Sequence, residues 1–230
     1  MNRDNIIWTN DVYSALNDEY VQQEEYDTYV ERCEDYDEEP LPFDRWLNEE
    51  FYTDYDFQEM QYEFFEQDFD QFIAPMIDRT LSEFPTSKKY GYKPPLFLIG
   101  SRSGWRAGSG GMVWETVDEF EDWLLHRDYD NCTDIYNDDG VMYLSSSDHD
   151  GSTGGTLYTF PSDESKILEM LKSISLYNVE DARDEYNESL TDDEILLEMF
   201  YDDVCNSQYI SWRDFIKYPE YLEPIPVKQF

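Results

Sequence analysis

Histidine is almost missing from this chain, and cysteine and basic residues are scarce. Two histidines, His126 and His149, in 230 residues cannot build the usual histidine-centred catalytic sites. The three cysteines, Cys33, Cys132 and Cys205, are far apart and odd in number. They offer neither a disulfide framework nor the paired spacing of a structural zinc site, and suit a reducing compartment as buried apolar side chains. No apolar run approaches the roughly 18 residues of a membrane span, and the opening MNRDNIIWTNDVY lacks the apolar core of a secretory leader. The expectation is a cytoplasmic protein. Lysine and arginine number 16 against 54 aspartates and glutamates, a formal net charge of −38. That balance excludes direct binding to DNA, RNA or an anionic membrane, because phosphate contacts need basic residues in excess. A charged partner must be basic.

What the chain has in plenty is aromatic rings: 20 Tyr, 14 Phe and 6 Trp. Disordered acidic chains are poor in aromatics, whereas each buried ring withdraws roughly 150–250 Å² from water. A folded acidic protein follows, and its charge is uneven. Residues 1–85 carry 25 acids and only four bases, Arg3, Arg32, Arg45 and Arg79. No acid lies between Pro85 and Trp114, where Lys88, Lys89, Lys93, Arg102 and Arg106 fall. Three segments result: an acidic helical one over 1–85, an α/β centre over 86–161 and a helical end over 162–230, either separate or packed as one domain. The fold class is α+β.

In the first segment, Asp11 to Glu39 has no Gly or Pro and repeats Tyr13, Leu16, Tyr20, Tyr26, Val30 and Cys33, which predicts a helix ended by Pro40 and Pro42. Asp44 is placed to cap a second long helix to about Ile73, with Phe51, Tyr55, Tyr62, Phe65, Phe69, Phe72 and Met76 as its buried stripe, broken once at Gln58. In the centre, strands are predicted at Leu96–Ile99, Met112–Trp114, Thr133–Asn137, Val141–Ser145 and Leu157–Phe160, in a mixed or antiparallel sheet of three to five strands. Asp139-Gly140 marks a hairpin. Thr116 with Glu119 and Thr191 with Glu194 are capping boxes that open helices. Pro161 to Glu164 starts another, through about Ile174, and a short helix surrounds Trp212 to Lys217.

Chemistry-bearing motifs are few. The Gly/Ser-rich stretch from Gly100 to Gly111 is neither GxxxxGK[ST] nor GxGxxG, so it reads as an exposed strand-to-strand loop and no cofactor is expected. Asp148-His149-Asp150-Gly151 is the densest set of potential ligands, with Asp148 and Asp150 the candidate metal donors. It fails the calcium-loop pattern, because Ser146 stands at the first Asp position and Leu157 at the bidentate Glu position. A polar turn between strands is the plainer reading.

The pattern that stands out is the spacing of acids. Glu24, Asp27, Glu31, Asp35 and Glu38 share one helical face, and Glu49, Asp56, Glu59, Glu63, Glu66 and Asp70 share another. Like charges three or four apart destabilise a helix by a few tenths of a kcal/mol per pair, and these stripes have almost no interspersed lysine or arginine. One carboxylate per turn gives a spacing of about 5.4 Å, and two adjacent stripes give roughly 2.7 Å, comparable with the 3.4 Å per phosphate of one DNA strand. These eleven acids are the candidate partner-binding residues, against the alternative of a merely solvated face.

In composition throughout, and most of all over residues 11–73, the chain resembles the acidic, Tyr-rich DNA-mimic anti-defence proteins of phages and mobile elements, the antirestriction and anti-CRISPR class. The resemblance implies a non-enzymatic inhibitor in the host bacterial cytoplasm. Its partner would be a basic nucleic-acid-binding protein, a CRISPR effector or a restriction enzyme, whose channel accepts a polyanion. The basic island departs from a pure polyanion, and makes Arg102, Trp105 and Arg106 secondary contact candidates. Two other readings compete: an acidic chaperone that sequesters a basic protein, and a metal-dependent factor using the Asp148 to Asp150 turn.

Overall fold

Short apolar runs, several of them extended by Gly/Ser stretches, pair into a seven-stranded sheet that is antiparallel throughout. The computed structural model describes residues 3–11, 18–51, 63–86, 91–104, 108–125, 132–148, 151–186, 189–206 and 212–227, with the backbone alone at 3, 101–104, 108–110, 148 and 206. The strands are β1 (Ile6–Asp11), β2 (Leu96–Gly104), β3 (Gly108–Trp114), β4 (Cys132–Asp138), β5 (Val141–Asp148), β6 (Gly151–Thr159) and β7 (Glu223–Pro224). Their order is β1-β4-β5-β6-β2-β3, with β7 added to β6. The β4–β5 hairpin turns at Asp139-Gly140, both at positive φ (51° and 88°), the pair of left-handed residues that a type I′ turn requires. Asn137 Oδ1 accepts the Gly140 N–H at 2.8 Å. The C-terminal segment wedges into the end of the β5–β6 pair: Ile225 N–H donates to the Leu157 carbonyl and Met142 N–H to the Ile225 carbonyl.

The helices are α1 (Glu19–Asp35), α2 (Phe43–Glu49), α3 (residues 63–81), α4 (Val117–Leu125), α5 (Glu164–Ile174), α6 (Val179–Ala182), α7 (Asp192–Asn206) and α8 (Trp212–Phe215). Alternation along the strands sends Trp8, Leu98, Ile135, Leu144 and Leu157 to one face, where Phe65, Phe69, Ile73 and Ile77 of α3 and Phe120 and Leu124 of α4 cover them. Phe97, Val113 and Tyr158 point the other way, against α5, α7 and α8. Phe160 centres that second core, edge-on to Phe97, Phe200 and Phe215 at 4.9–5.1 Å between ring centres. Elements from all three sequence segments therefore share one sheet. A third, smaller core joins α1 to α2 through Tyr29, Cys33, Trp46 and Phe51.

Several expectations are corrected. Asp11 ends a strand, and the first helix begins at Glu19 with Asp18 as its cap, accepting from the Tyr20 and Val21 amides at 2.8 and 3.3 Å. It ends before the prolines: Asp37 turns left-handed (φ 58°), and Glu38 N–H reaches the Cys33 carbonyl while Asp37 N–H reaches that of Glu34. That is a Schellman closure with Asp in the place usually held by Gly. The second long helix is not continuous. It stops at Glu49, residues 52–62 (Tyr55 and Tyr62 among them) lie outside the described ones, and α3 runs on past Ile73 to Leu81. Phe69–Ile73 forms a π-turn, with Ala74 N–H donating to the Phe69 carbonyl, just before Pro75, which has no N–H to continue the ladder. The wider turn favours i+4 spacing, so Ile73 is buried and Phe72 is 40 % exposed. The Gly/Ser stretch is a ladder: Ser101 pairs with Ser109 and Gly154, and Arg102 with Gly108 and Thr153, so the strands extend well past Ile99. Strands β1 and β7 have no counterpart among the strands expected from the sequence. Of the cysteines only Cys33 is buried, and Cys205 is exposed.

Candidate functional site

Helix α1 buries Tyr29 and Cys33 on one side and exposes Glu24, Asp27, Glu31 and Asp35 on the other. Tyr29 is held by the Leu41 N–H, which it accepts at 3.0 Å, and by Trp46, stacked at 5.8 Å. Burial raises the Tyr29 phenol, so it stays neutral. Gln23 Nε2 donates to Asp27 at 2.8 Å. Glu38 is also exposed but lies beyond the helix, after its Schellman closure.

Glu49 leaves the second stripe. It ends α2, where Arg45 grips it from one turn earlier with two hydrogen bonds of 2.9 and 2.7 Å, and this pairing lowers its carboxyl below the usual range. Asp56 and Glu59 lie outside the described residues. Glu63, Glu66 and Asp70 are exposed on α3, opposite Phe65 and Phe69. The Trp8 indole N–H donates to the Phe65 carbonyl at 3.3 Å, and its ring meets Phe65 and Phe69 edge-on, tying this helix to the sheet.

The sheet also brings α4 alongside α3, through contacts such as Phe69 with Phe120 at 6.0 Å. Asp118 and Glu121 of α4 therefore join the acids of α3. Partial burial raises the Glu121 carboxyl, and the charges of Asp70, Glu66 and Asp118 raise it further, in that order. Among the described residues, no lysine or arginine pairs with Glu63, Glu66, Asp70, Asp118 or Glu121. The arrangement is a two-helix acidic ridge on a rigid, aromatic-packed base. Sequence reasoning missed the α4 half. Its signal was Asp118 and Glu121 three apart, inside a stretch read only as a helix start.

The other candidates separate from this ridge. Lys93, from the basic island, pairs with Asp78 of α3 and so neutralises one of the chain's own acids. Arg102 lies on β2, described by its backbone only, while Lys88, Lys89, Trp105 and Arg106 fall outside the described residues. Asp148 pairs with Gly151 in the β5–β6 ladder, and His149 and Asp150, where a polar turn is expected, fall outside the described residues. Among the described residues no group of three or more His, Cys, Asp or Glu side chains could hold a metal ion. Burial, with Asp134 and Asp11 adding, pushes the Cys132 thiol up to about 11, which leaves it un-ionised and unreactive at neutral pH. Among the described residues no helix is long and apolar enough to cross a membrane. No protein-family model, curated protein or solved structure matches the chain.

Proposed function

We propose that the protein is a non-enzymatic inhibitor of a nucleic-acid-binding defence nuclease, a CRISPR effector or a restriction enzyme. It would occupy the enzyme's basic channel with a nucleic-acid-like acidic surface. The observation that carries this reading is the α3/α4 ridge, where Asp70, Glu66 and Asp118 stand close enough to Glu121 to raise its carboxyl and, among the described residues, no lysine or arginine pairs with any of the four. Such crowding lowers stability, and a surface that keeps it is suited to a partner that brings lysine and arginine. The exposed face of α1, with Glu24, Asp27, Glu31 and Asp35 beside the exposed Tyr20, offers a second acidic stripe.

The test is titration of the protein into purified effector and restriction nucleases with labelled DNA. At least one nuclease should lose DNA binding near a one-to-one ratio, and association should slow steeply as salt rises, because rim charges are screened. DNA that still acquires the basic protein from the complex would favour the acidic-chaperone reading. No effect on any nuclease would count against inhibition.

A further inference from the structure

The two edges of the sheet are built differently. β1, at one edge, carries a register shift between Ile6 and Trp8 and ends in Asp11, both devices that discourage further pairing. β3, at the other edge, reads GSGGMVW, with no charge and no proline, and pairs with β2 in an unbroken register from Leu96↔Trp114 to Arg102↔Gly108. Among the described residues no strand lies on its far side. Alternate N–H and C=O groups of β3 thus point outward, as a template for one more strand.

A groove of about 580 Å³ runs along that edge, within the range of sites that take small ligands and peptide segments. Its floor is Gly111, Met112 and Val113. Its walls are Glu115, Glu119, Trp212 and Arg213. The walls are fixed. The Glu119 carboxylate accepts the Glu115 N–H at 2.8 Å, the Trp212 indole N–H donates to Glu115 at 3.3 Å, and a methyl of Ile216 lies 2.4 Å from where a Cβ on Gly111 would stand. A slot preformed beside an edge strand lowers the ordering cost of an incoming strand.

We infer that the outer edge of β3 is a strand-addition site for an extended, basic segment of a partner protein. Two carboxylates against one guanidinium line the slot, and the chain's charge of −38 opposes a second copy brought edge to edge. The inference does not depend on the α3/α4 ridge: Glu119 lies on α4 but is not one of the ridge acids, Glu63, Glu66, Asp70, Asp118 and Glu121.

The test uses the full chain and a fluorescent seven-residue peptide alternating Lys and Val. Two further peptides carry N-methyl groups on one or the other alternate set of backbone nitrogens, at unchanged charge. Binding should slow amide exchange across 108–114 at least tenfold. One N-methylated set should bind at least tenfold more weakly than the other. Glu115→Gln with Glu119→Gln should weaken the parent peptide several-fold without lowering the melting temperature, since Gln still accepts the Glu115 N–H. The inference is overturned by absence of binding, by equal binding of both N-methylated peptides, or by protection confined to α1 or α3. A peptide-free dimer that protects 108–114 would also overturn it, assigning the edge to a second copy.

Discussion

Asp37 closes α1 at φ 58°, a conformation that costs a residue with a Cβ about 1–2 kcal/mol, somewhat less for Asp. The two hydrogen bonds of the Schellman closure hold it there. Asp37→Gly should stabilise the protein by up to about 1 kcal/mol, read as a higher urea midpoint at unchanged slope. Glu121 is a second residue held against its preference. Its folded carboxyl binds a proton more readily than an ordinary glutamate, so its contribution is full at low pH. Stability then declines as pH rises from the usual glutamate value through the raised folded one. Glu121→Gln should therefore raise the urea midpoint at pH 7 and leave it unchanged near pH 3.5, where both states are protonated. An equal gain at both pH values would show that packing, not charge, is responsible.

Elements that depend on a few adjacent residues were readable in the sequence. Thr191 and Glu194 exchange hydrogen bonds as a capping box should, with Glu194 N–H to Thr191 Oγ1 at 3.3 Å and Thr191 N–H to Glu194 at 2.8 Å. Thr116 caps α4 similarly, although Glu119 reaches back one residue further, to Glu115. The Asp139-Gly140 turn is equally local. β1 was not readable, because its partner lies about 125 residues away and Ile6 to Thr9 alone is too short to distinguish. The Gly/Ser ladder was misread because glycine and serine have little strand preference of their own. Pairing on both sides supplies what they lack, and it demands glycine at Gly100, where a Cβ would stand 1.7 Å from the Gly154 carbonyl oxygen. Gly100→Ala should cost about 2–4 kcal/mol, and wild-type amides of 97–102 should be protected in hydrogen exchange. Unprotected amides there would restore the loop reading. The candidate site divides the same way: the stripes on α1 and α3 are periodic within one helix, whereas the α4 half exists only because the sheet sets two helices side by side.

At the scale of the molecule, an excess of 38 negative charges surrounds an α+β body whose aromatic cores carry the folding energy. Self-repulsion on this scale works against compactness, and the rings of Trp8, Phe69, Phe120, Phe160 and Phe200, all buried, compensate for it. On the proposed function, the α3/α4 ridge retains its charge for a basic partner. The most direct test of that role is the variant Glu63→Gln, Glu66→Gln, Asp70→Asn, compared with the wild type for stability and for inhibition of nuclease cleavage. Neutralisation relieves repulsion at i+3 and i+4, so the variant should fold at least as stably as the wild type. Its inhibition should weaken tenfold or more, since each desolvated basic group left unpaired costs roughly 1–3 kcal/mol. A variant that folds and still inhibits at the wild-type ratio would contradict that role.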